Sequence, residues 1–545
     1  MNLLKLNQSL REKIFSPFFM SPWLLWAVVA IGILFRLEIY LDNPSFWLDE
    51  TYVATQITSR SFSQIFFNYV LLTGQPESPM LFSILAKLSV LIFGNHELAL
   101  RLVPFLSSSA ALVLFAFFLK RYCSSGVALL AVALFAFNTN LIYFAAELKT
   151  YSGDVLTAVG LLWFLRWSRE EKNLALVLLR GGYVGCLAML FSNITLFFLP
   201  WLGILFYWRV KRDPSPRFQR LLVTVVCSWT IVFLYLYFSV YNGMTDNHPL
   251  VEMWKHLGGF SPKPLLSGGW WLWLVERYVI MARFLLPGVW PLITLILALV
   301  GLARITEKDA FGAFCLAGPV DLVLLAAILM KYPFYDRMIL FLAPCFLLCV
   351  SEGVRALWDQ RLSRTLAIVL IPVLLAWSVR ASVMNARGND EKHIEDNREV
   401  FSYLGRHMSP GDQLVLNNEA GFPFMYYFTT DLFKRFHLEA GEARIEVKFL
   451  KILDSEKAFR REGFFFYIFE KSIFEHGSYK TSLLQLKQYP FSDQIRPKLA
   501  GGRTWILLSH FKKSFGEVLD IMDRYGTRIG QFEAKGAGVY LYDMR

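Results

Sequence analysis

The stretch N-P-S-F-W-L-D-E-T-Y, residues 43–52, sets two carboxylates side by side, Asp49 and Glu50, just after a long apolar run. Carboxylates accept protons, hold cations or cap helix ends. A cap needs only one of the pair, and a carboxylate gains nothing from a membrane interface, so the other acid calls for a different role. Four further stretches put charge beside apolar runs: G-Q-P-E-S-P-M-L-F (74–82), E-L-A-L-R-L-V-P (97–104), A-E-L-K-T-Y-S-G-D (146–154) and K-Y-P-F-Y-D-R-M-I-L-F-L-A-P (331–344). They add the acids Glu77 and Glu147, the cations Arg101, Lys149 and Arg337, and the phenols Tyr151 and Tyr335. If such groups line one cavity, a carboxylate can take a proton from an attacking group while the cations hold an anion. Taken singly, Lys149 and Arg337 read as plainly as interfacial anchors.

What holds these stretches is set by composition. Of 545 residues, 55% are hydrophobic, 16% aromatic and only 18% charged, and the mean hydropathy is +0.43. A soluble chain carries about a quarter charged residues, so this is an integral membrane protein. The net charge of +12 is spread in small clusters between apolar runs, which argues against nucleic acid and for a membrane topology. The six cysteines lie in or beside apolar segments without a C-x-x-C pair, so buried inert thiols are expected, with no disulfide framework or structural zinc. The basic residues before the first apolar run come with no small-residue cleavage site, which predicts an uncleaved first span.

Apolar segments near 22–39, 102–119, 127–145, 152–167, 174–191, 194–208, 220–240, 288–304, 311–330, 338–354 and 366–382 predict about eleven spans. With a cytoplasmic N-terminus the inner loops carry 15 Lys or Arg and the short outer loops three, as the positive-inside rule requires. Counting residues 78–94 as a span would reverse this balance, and Lys87 sits at its middle. That segment is therefore expected to be a membrane-parallel or re-entrant helix on the outer side. All the charged stretches above then fall on the outer side. A membrane domain at 1–382 is followed by a tail, 383–545, in which N-R-E-V-F-S-Y-L-G-R-H-M and F-G-E-V-L-D-I-M-D-R-Y-G read as helices. D-Q-L-V-L-N-N, R-T-W-I-L-L-S-H and G-V-Y-L-Y-D-M read as strands, predicting a small soluble α/β domain on the outer, periplasmic side.

The ordered motifs resemble those of GT-C-type glycosyltransferases, more narrowly glycosyltransferase family 39, which includes protein O-mannosyltransferases and lipid A aminoarabinose transferases. F-W-L-D-E resembles the acidic motif of the first outer loop. Q-P-E-S-P is similar to the proline segment, though it departs from H-P-P-L. A-E-L-K-T-Y resembles an E-x-R-x-Y region with Lys149 in place of arginine, and Y-P-F-Y-D-R is similar to a late Y-P-x-x-x-R motif. The resemblance covers about residues 20–380 and implies a polytopic GT-C-like helical fold with juxtamembrane helices, in the bacterial inner membrane. It further implies transfer of a sugar from a polyprenyl-phosphate donor to a hydroxyl on a lipid, glycan or protein. Asp49 is then the expected base, with Glu50 orienting it. Arg337, Arg101 and Lys149 would hold the donor phosphate, and Glu77, Glu147, Tyr151 and Tyr335 would contact substrate. Two adjacent acids without a D-x-D or His partner are a weak metal signal. No cofactor or metal is expected, although Glu50 could instead hold a divalent cation. The competing reading is a transporter or flippase of a lipid-linked saccharide, which would more often place its charges near the midplane.

Overall fold

A computed structural model of the chain describes residues 22–67, 78–238, 249–360, 364–386, 395–409, 412–416, 420–428, 459–461, 464–468, 502–510 and 515–544. Glu77, one of the expected substrate contacts, lies outside the described residues.

The membrane part is a bundle of helices. It opens with α1 (Pro22–Asp42), α2 (Leu48–Ser59), α3 (Phe62–Phe67), α4 (Met80–Phe93) and α5 (Glu97–Tyr122). It continues with α6 (Ser125–Ala136), α7 (Thr139–Tyr143), α8 (Tyr151–Glu170), α9 (Leu174–Phe191), α10 (Leu199–Arg212) and α11 (Pro216–Leu236). After α12 (Pro249–His256) and α13 (Gly268–Leu285) come α14 (Pro291–Lys308), α15 (Ala310–Ile328), α16 (Ala343–Asp359) and α17 (Arg364–Ala386). Among the described residues six helical runs are long and apolar enough to cross a bilayer, and α6 with its continuation, bent by 54°, would make a seventh. The other expected spans fall on α8, α10, α14 and α17. Of these, α8, α10 and α14 are shorter or carry charge at their ends, as with Arg166, Arg169 and Glu170 on α8, so length and hydropathy alone do not mark them as spans.

Local chemistry explains two features of the bundle. The α6–α7 break leaves helix-end carbonyls without partners, and the buried Arg36 on α1 takes those of Phe135 and Ala136 at 3.3 and 3.0 Å. Asn138 caps α7 through its side-chain oxygen, which accepts from the amides of Asn140 and Leu141. The tight α14–α16 contact needs glycine: a Cβ on Gly301 would stand 1.8 Å from the Cys349 carbonyl oxygen, and one on Gly353 2.0 Å from that of Leu297. As expected, α4 is too short to cross at 14 residues. Its Leu91, Ile92 and Phe93 are exposed, the arrangement of a helix resting on lipid.

The tail builds α18 (Asn397–His407), α19 (Phe515–Met522) and a six-stranded sheet. Its strands are β1 (Gln413–Leu416), β2 (Phe459–Arg461), β3 (Phe464–Ile468), β4 (Arg503–Ser509), β5 (Gly526–Ala534) and β6 (Ala537–Met544), in the order β2-β3-β1-β4-β6-β5. β1 runs parallel to β3 and β4, while β6 pairs antiparallel with β4 and β5. Thus α18, α19, β1, β4 and β6 form where their patterns predict. β5 escapes the sequence reading because its half-buried, alternating residues are largely polar. The sheet domain does not stand apart: Phe46, Leu48, Val53, Phe82 and Leu100 share one apolar core with Val400, Leu404, Trp505 and Val539.

Candidate functional site

The site forms where α2 begins. Asp49 and Glu50 occupy its first turn, where negative charge favours the exposed amides of a helix start. Successive residues on a helix face different ways, and the two acids part accordingly.

Glu50 turns inward. Its carboxylate accepts from Arg101 Nε at 2.9 Å and Nη2 at 2.6 Å, with both side chains buried. The same Oε1 accepts the Leu148 amide at 2.7 Å. Arg101 also donates to the Pro44 carbonyl, and its guanidinium lies 4.6 Å from the centroid of the Phe46 ring. Glu50 and Arg101 therefore join α2, α5 and the 147–150 turn. Arg101, expected at the donor phosphate, has its guanidinium committed to this pair.

Asp49 turns instead toward Arg337. Arg337 Nη2 donates to its Oδ2 at 2.8 Å, and the two side chains are 25% and 15% exposed. Arg337 comes from the 3-10 turn Asp336–Leu342, whose first residue holds φ at +34°, a conformation aspartate tolerates better than most residues. Its guanidinium sits between Trp47 and Tyr151, 5.6 and 5.9 Å from the two ring centroids. Such faces attract and orient a planar cation. Burial would raise the Asp49 pKa, but Lys149 and Arg337 outweigh it, with His510 adding to them, and hold the carboxyl below the usual range. The acid is therefore ionised at neutral pH.

Glu147 and Lys149 belong to the turn between the α6–α7 pair and α8. Burial lowers the Lys149 pKa although Asp49 opposes it. Glu147 is buried, and neither carboxyl oxygen has a hydrogen-bond partner among the described residues. Burial, reinforced by the Glu50 charge, pushes it up to about 7. So Asp49, Glu147, Lys149, Tyr151 and Arg337 come together, from three stretches far apart in sequence. Tyr335 turns away from them to Trp254 and Arg277, with ring separation 5.7 Å from Trp254. Among the described residues no group of three or more metal-ligating side chains could hold an ion. Trp47 and His510 were not legible as site residues: the first reads as an interfacial aromatic, and the second lies 461 residues from Asp49 in the chain.

No protein-family model matches the chain, and a search of curated proteins finds no match. Solved structures do match. ArnT from Cupriavidus metallidurans in the apo state aligns over 94% of this chain and 97% of its own, with 10% identity and a TM-score of 0.51. The chain has the fold of ArnT. That likeness of fold extends from the membrane bundle into the sheet domain, over nearly the whole of both chains. ArnT bound to undecaprenyl phosphate aligns over 96% and 98% of the two chains at 10% identity, with a TM-score of 0.48. An oligosaccharyltransferase from Archaeoglobus fulgidus, in complex with Zn and sulfate, aligns at 11% identity and a TM-score of 0.42. That alignment takes in 74% of this chain and 61% of the archaeal one, so the chain spans about three fifths of that protein's length.

Proposed function

We propose that the chain is a multi-pass membrane glycosyltransferase that moves a sugar from a polyprenyl-phosphate carrier to an acceptor hydroxyl at the extracytoplasmic face. The N-terminus lies in the cytoplasm and the sheet domain, 383–545, in the periplasm. The observation that carries this reading is the partly open Asp49–Arg337 pair at 2.8 Å. It joins a proton acceptor and a phosphate-binding cation at one end of an apolar bundle.

The reaction divides between them. An acceptor O–H approaches Asp49, which takes the proton as the oxygen bonds to the anomeric carbon. The bond from that carbon to the phosphate oxygen breaks, and its electron pair leaves with the carrier phosphate. Arg337 stabilises that growing charge through donors additional to the one serving Asp49, and Lys149 adds a second cation. A phosphate drawing on Arg337 would loosen its hold on Asp49 and return basicity to the carboxylate when the donor is bound. Glu50 and Arg101 act by fixing α2 and the 147–150 turn. Tyr151 and Glu147 border the sugar, and the carrier's isoprenoid tail lies along the lipid-facing helices. The acceptor is a lipid, glycan or protein hydroxyl.

The test is transfer by purified protein from a panel of radiolabelled polyprenyl-phosphate sugars to native membrane acceptors, beside Asp49→Asn. Label transferred by wild type and not by the variant supports the assignment. Label that crosses a proteoliposome membrane with no new glycosidic bond would replace it with transport.

A further inference from the structure

The five residues between α1 and α2, from Asn43 to Trp47, are irregular backbone, which must find hydrogen-bond partners outside itself. Most of those partners come from the sheet domain. Arg398 donates from Nη2 to the Asn43 carbonyl at 2.7 Å, and its own amide donates to Ser45 Oγ at 2.9 Å. The Phe46 amide donates to Tyr427 Oη at 2.6 Å, and Asn397 Nδ2 donates to the Phe46 carbonyl at 3.1 Å. Arg398 and Tyr427 also meet Glu97, at the start of α5, at 2.6 and 3.0 Å.

A further contact falls on the helix that bears Asp49. The N-cap position of α2 is Trp47, whose side chain cannot cap, and no local side chain does so. Instead Glu395 Oε2, from more than 300 residues away, accepts the Leu48 amide at 3.1 Å. Glu395 is itself buried and fixed: Asn397 Nδ2 donates to Oε2 at 2.8 Å, and His510 Nδ1 lies 2.5 Å from Oε1. His510 follows β4 with φ at +81° and donates its amide to the Gly536 carbonyl at 3.0 Å. Glycine would adopt that backbone without strain, and a histidine there is costly unless its side chain is needed. His510 also acts on Asp49, helping to hold its carboxyl low.

Resting on the function proposed above, we infer that the sheet domain positions the base: Glu395, oriented by His510 and Asn397, caps α2 from outside and sets Asp49 against Arg337. Glu395 and His510 are positioning residues that need touch neither donor nor acceptor. A base must stand within hydrogen-bond reach of its proton, so a small shift of α2 acts on kcat more than on donor binding.

The experiment uses full-length protein in detergent with His510→Gly, His510→Asn and Glu395→Gln. Glycine suits the backbone and removes the ring, whereas asparagine tolerates the same φ and keeps a side-chain donor. In His510→Gly, kcat for sugar transfer is expected to fall about tenfold with donor KM within about twofold, the scale of losing one hydrogen bond to a charged group. Amide exchange at Leu48 to Thr51, measured without substrate, is expected to quicken about tenfold while α5 keeps its protection. His510→Asn recovers most of both, and Glu395→Gln resembles the glycine variant. Three results overturn the inference: unchanged kcat and exchange in His510→Gly; a fall in kcat with protected α2 amides; or loss of protection throughout the chain in all three variants. If wild-type protein transfers no sugar, the functional reading fails alone, because the exchange measurement still decides whether the sheet domain holds α2.

Discussion

Two acids that are neighbours in sequence meet opposite environments. Glu50 is buried with Arg101 in a forked pair and receives the Leu148 amide as well, so the donors around it meet its carboxylate on both oxygens. Asp49 has one contact with Arg337, and both groups keep some exposure. The closed pair holds three chain segments in place; the open pair can exchange partners. Removing one member of a closed pair leaves the other charged in a low-dielectric interior, which costs far more than the pair itself stabilises. Removing one member of the open pair leaves the other partly exposed to solvent. The same first turn thus carries an architectural acid and the acid proposed as the base.

The first way to break this comparison is at Asp49, and it has the largest expected effect. Asp49→Asn keeps shape and removes the proton acceptor, so transfer should fall about a thousandfold while the melting temperature stays within a few degrees. Equal activity in variant and wild type would remove Asp49 as the base. Glu50→Gln should behave the other way round. It leaves the buried Arg101 guanidinium without a counter-charge, which predicts about 3 kcal/mol of lost stability, seen as early melting of the detergent-solubilised protein. A Glu50→Gln protein as stable as wild type but inactive would move the chemistry to Glu50 and undo the division.

Arg337→Lys sharpens the open pair. Lysine keeps the charge but not the fork, nor the planar contact with Trp47 and Tyr151. Donor KM should rise about tenfold in steady-state assays, the cost of a lost paired contact to phosphate. Arg337→Gln should in addition move the acidic limb of the pH–rate profile upward. Arg337 is one of the cations that hold the Asp49 pKa low, so without it the base is protonated at a higher pH. An unmoved limb would mean that another group titrates there.

The sequence shows more of the scaffold than of the site. Membrane class, the apolar segments, the surface helix α4 and most elements of the sheet domain follow from hydropathy and period, which are local properties. Asp49, Lys149 and Arg337 were legible together because the topology puts their stretches at one end of the bundle. The partition of the two acids was not legible, since it depends on where Arg101 and the Leu148 amide arrive in space. Nor was the turn of Tyr335 toward Arg277 and Trp254, only two residues before Arg337. The link from Glu395 and His510 to α2 has no sequence signal at all: it joins two regions through a core that forms only when both have folded.

Glu147 gives the smallest and most conditional effect. Its pKa in the folded chain is pushed up to about 7 from an ordinary 4.5, by burial first and by the Glu50 charge second. A raised carboxyl pKa means that the folded protein holds the proton more tightly than the unfolded one, so this group costs nothing below about pH 4.5. As pH rises toward 7 the unfolded chain releases the proton and the folded one keeps it, and stability falls. Above about 7 the penalty levels off. Glu147→Gln, which cannot ionise, should therefore match wild type in melting temperature at pH 4.5 and exceed it at pH 8, by an amount worth about 3 kcal/mol. Parallel melting curves across that range would show that Glu147 is already ionised and paired, which would bring it into the open half of the comparison beside Asp49. If donor bound at pH 8 removed the difference between variant and wild type, the ligand would be supplying the hydrogen-bond donors that the carboxyl otherwise lacks. Glu147 would then be a substrate contact rather than a cost of burial.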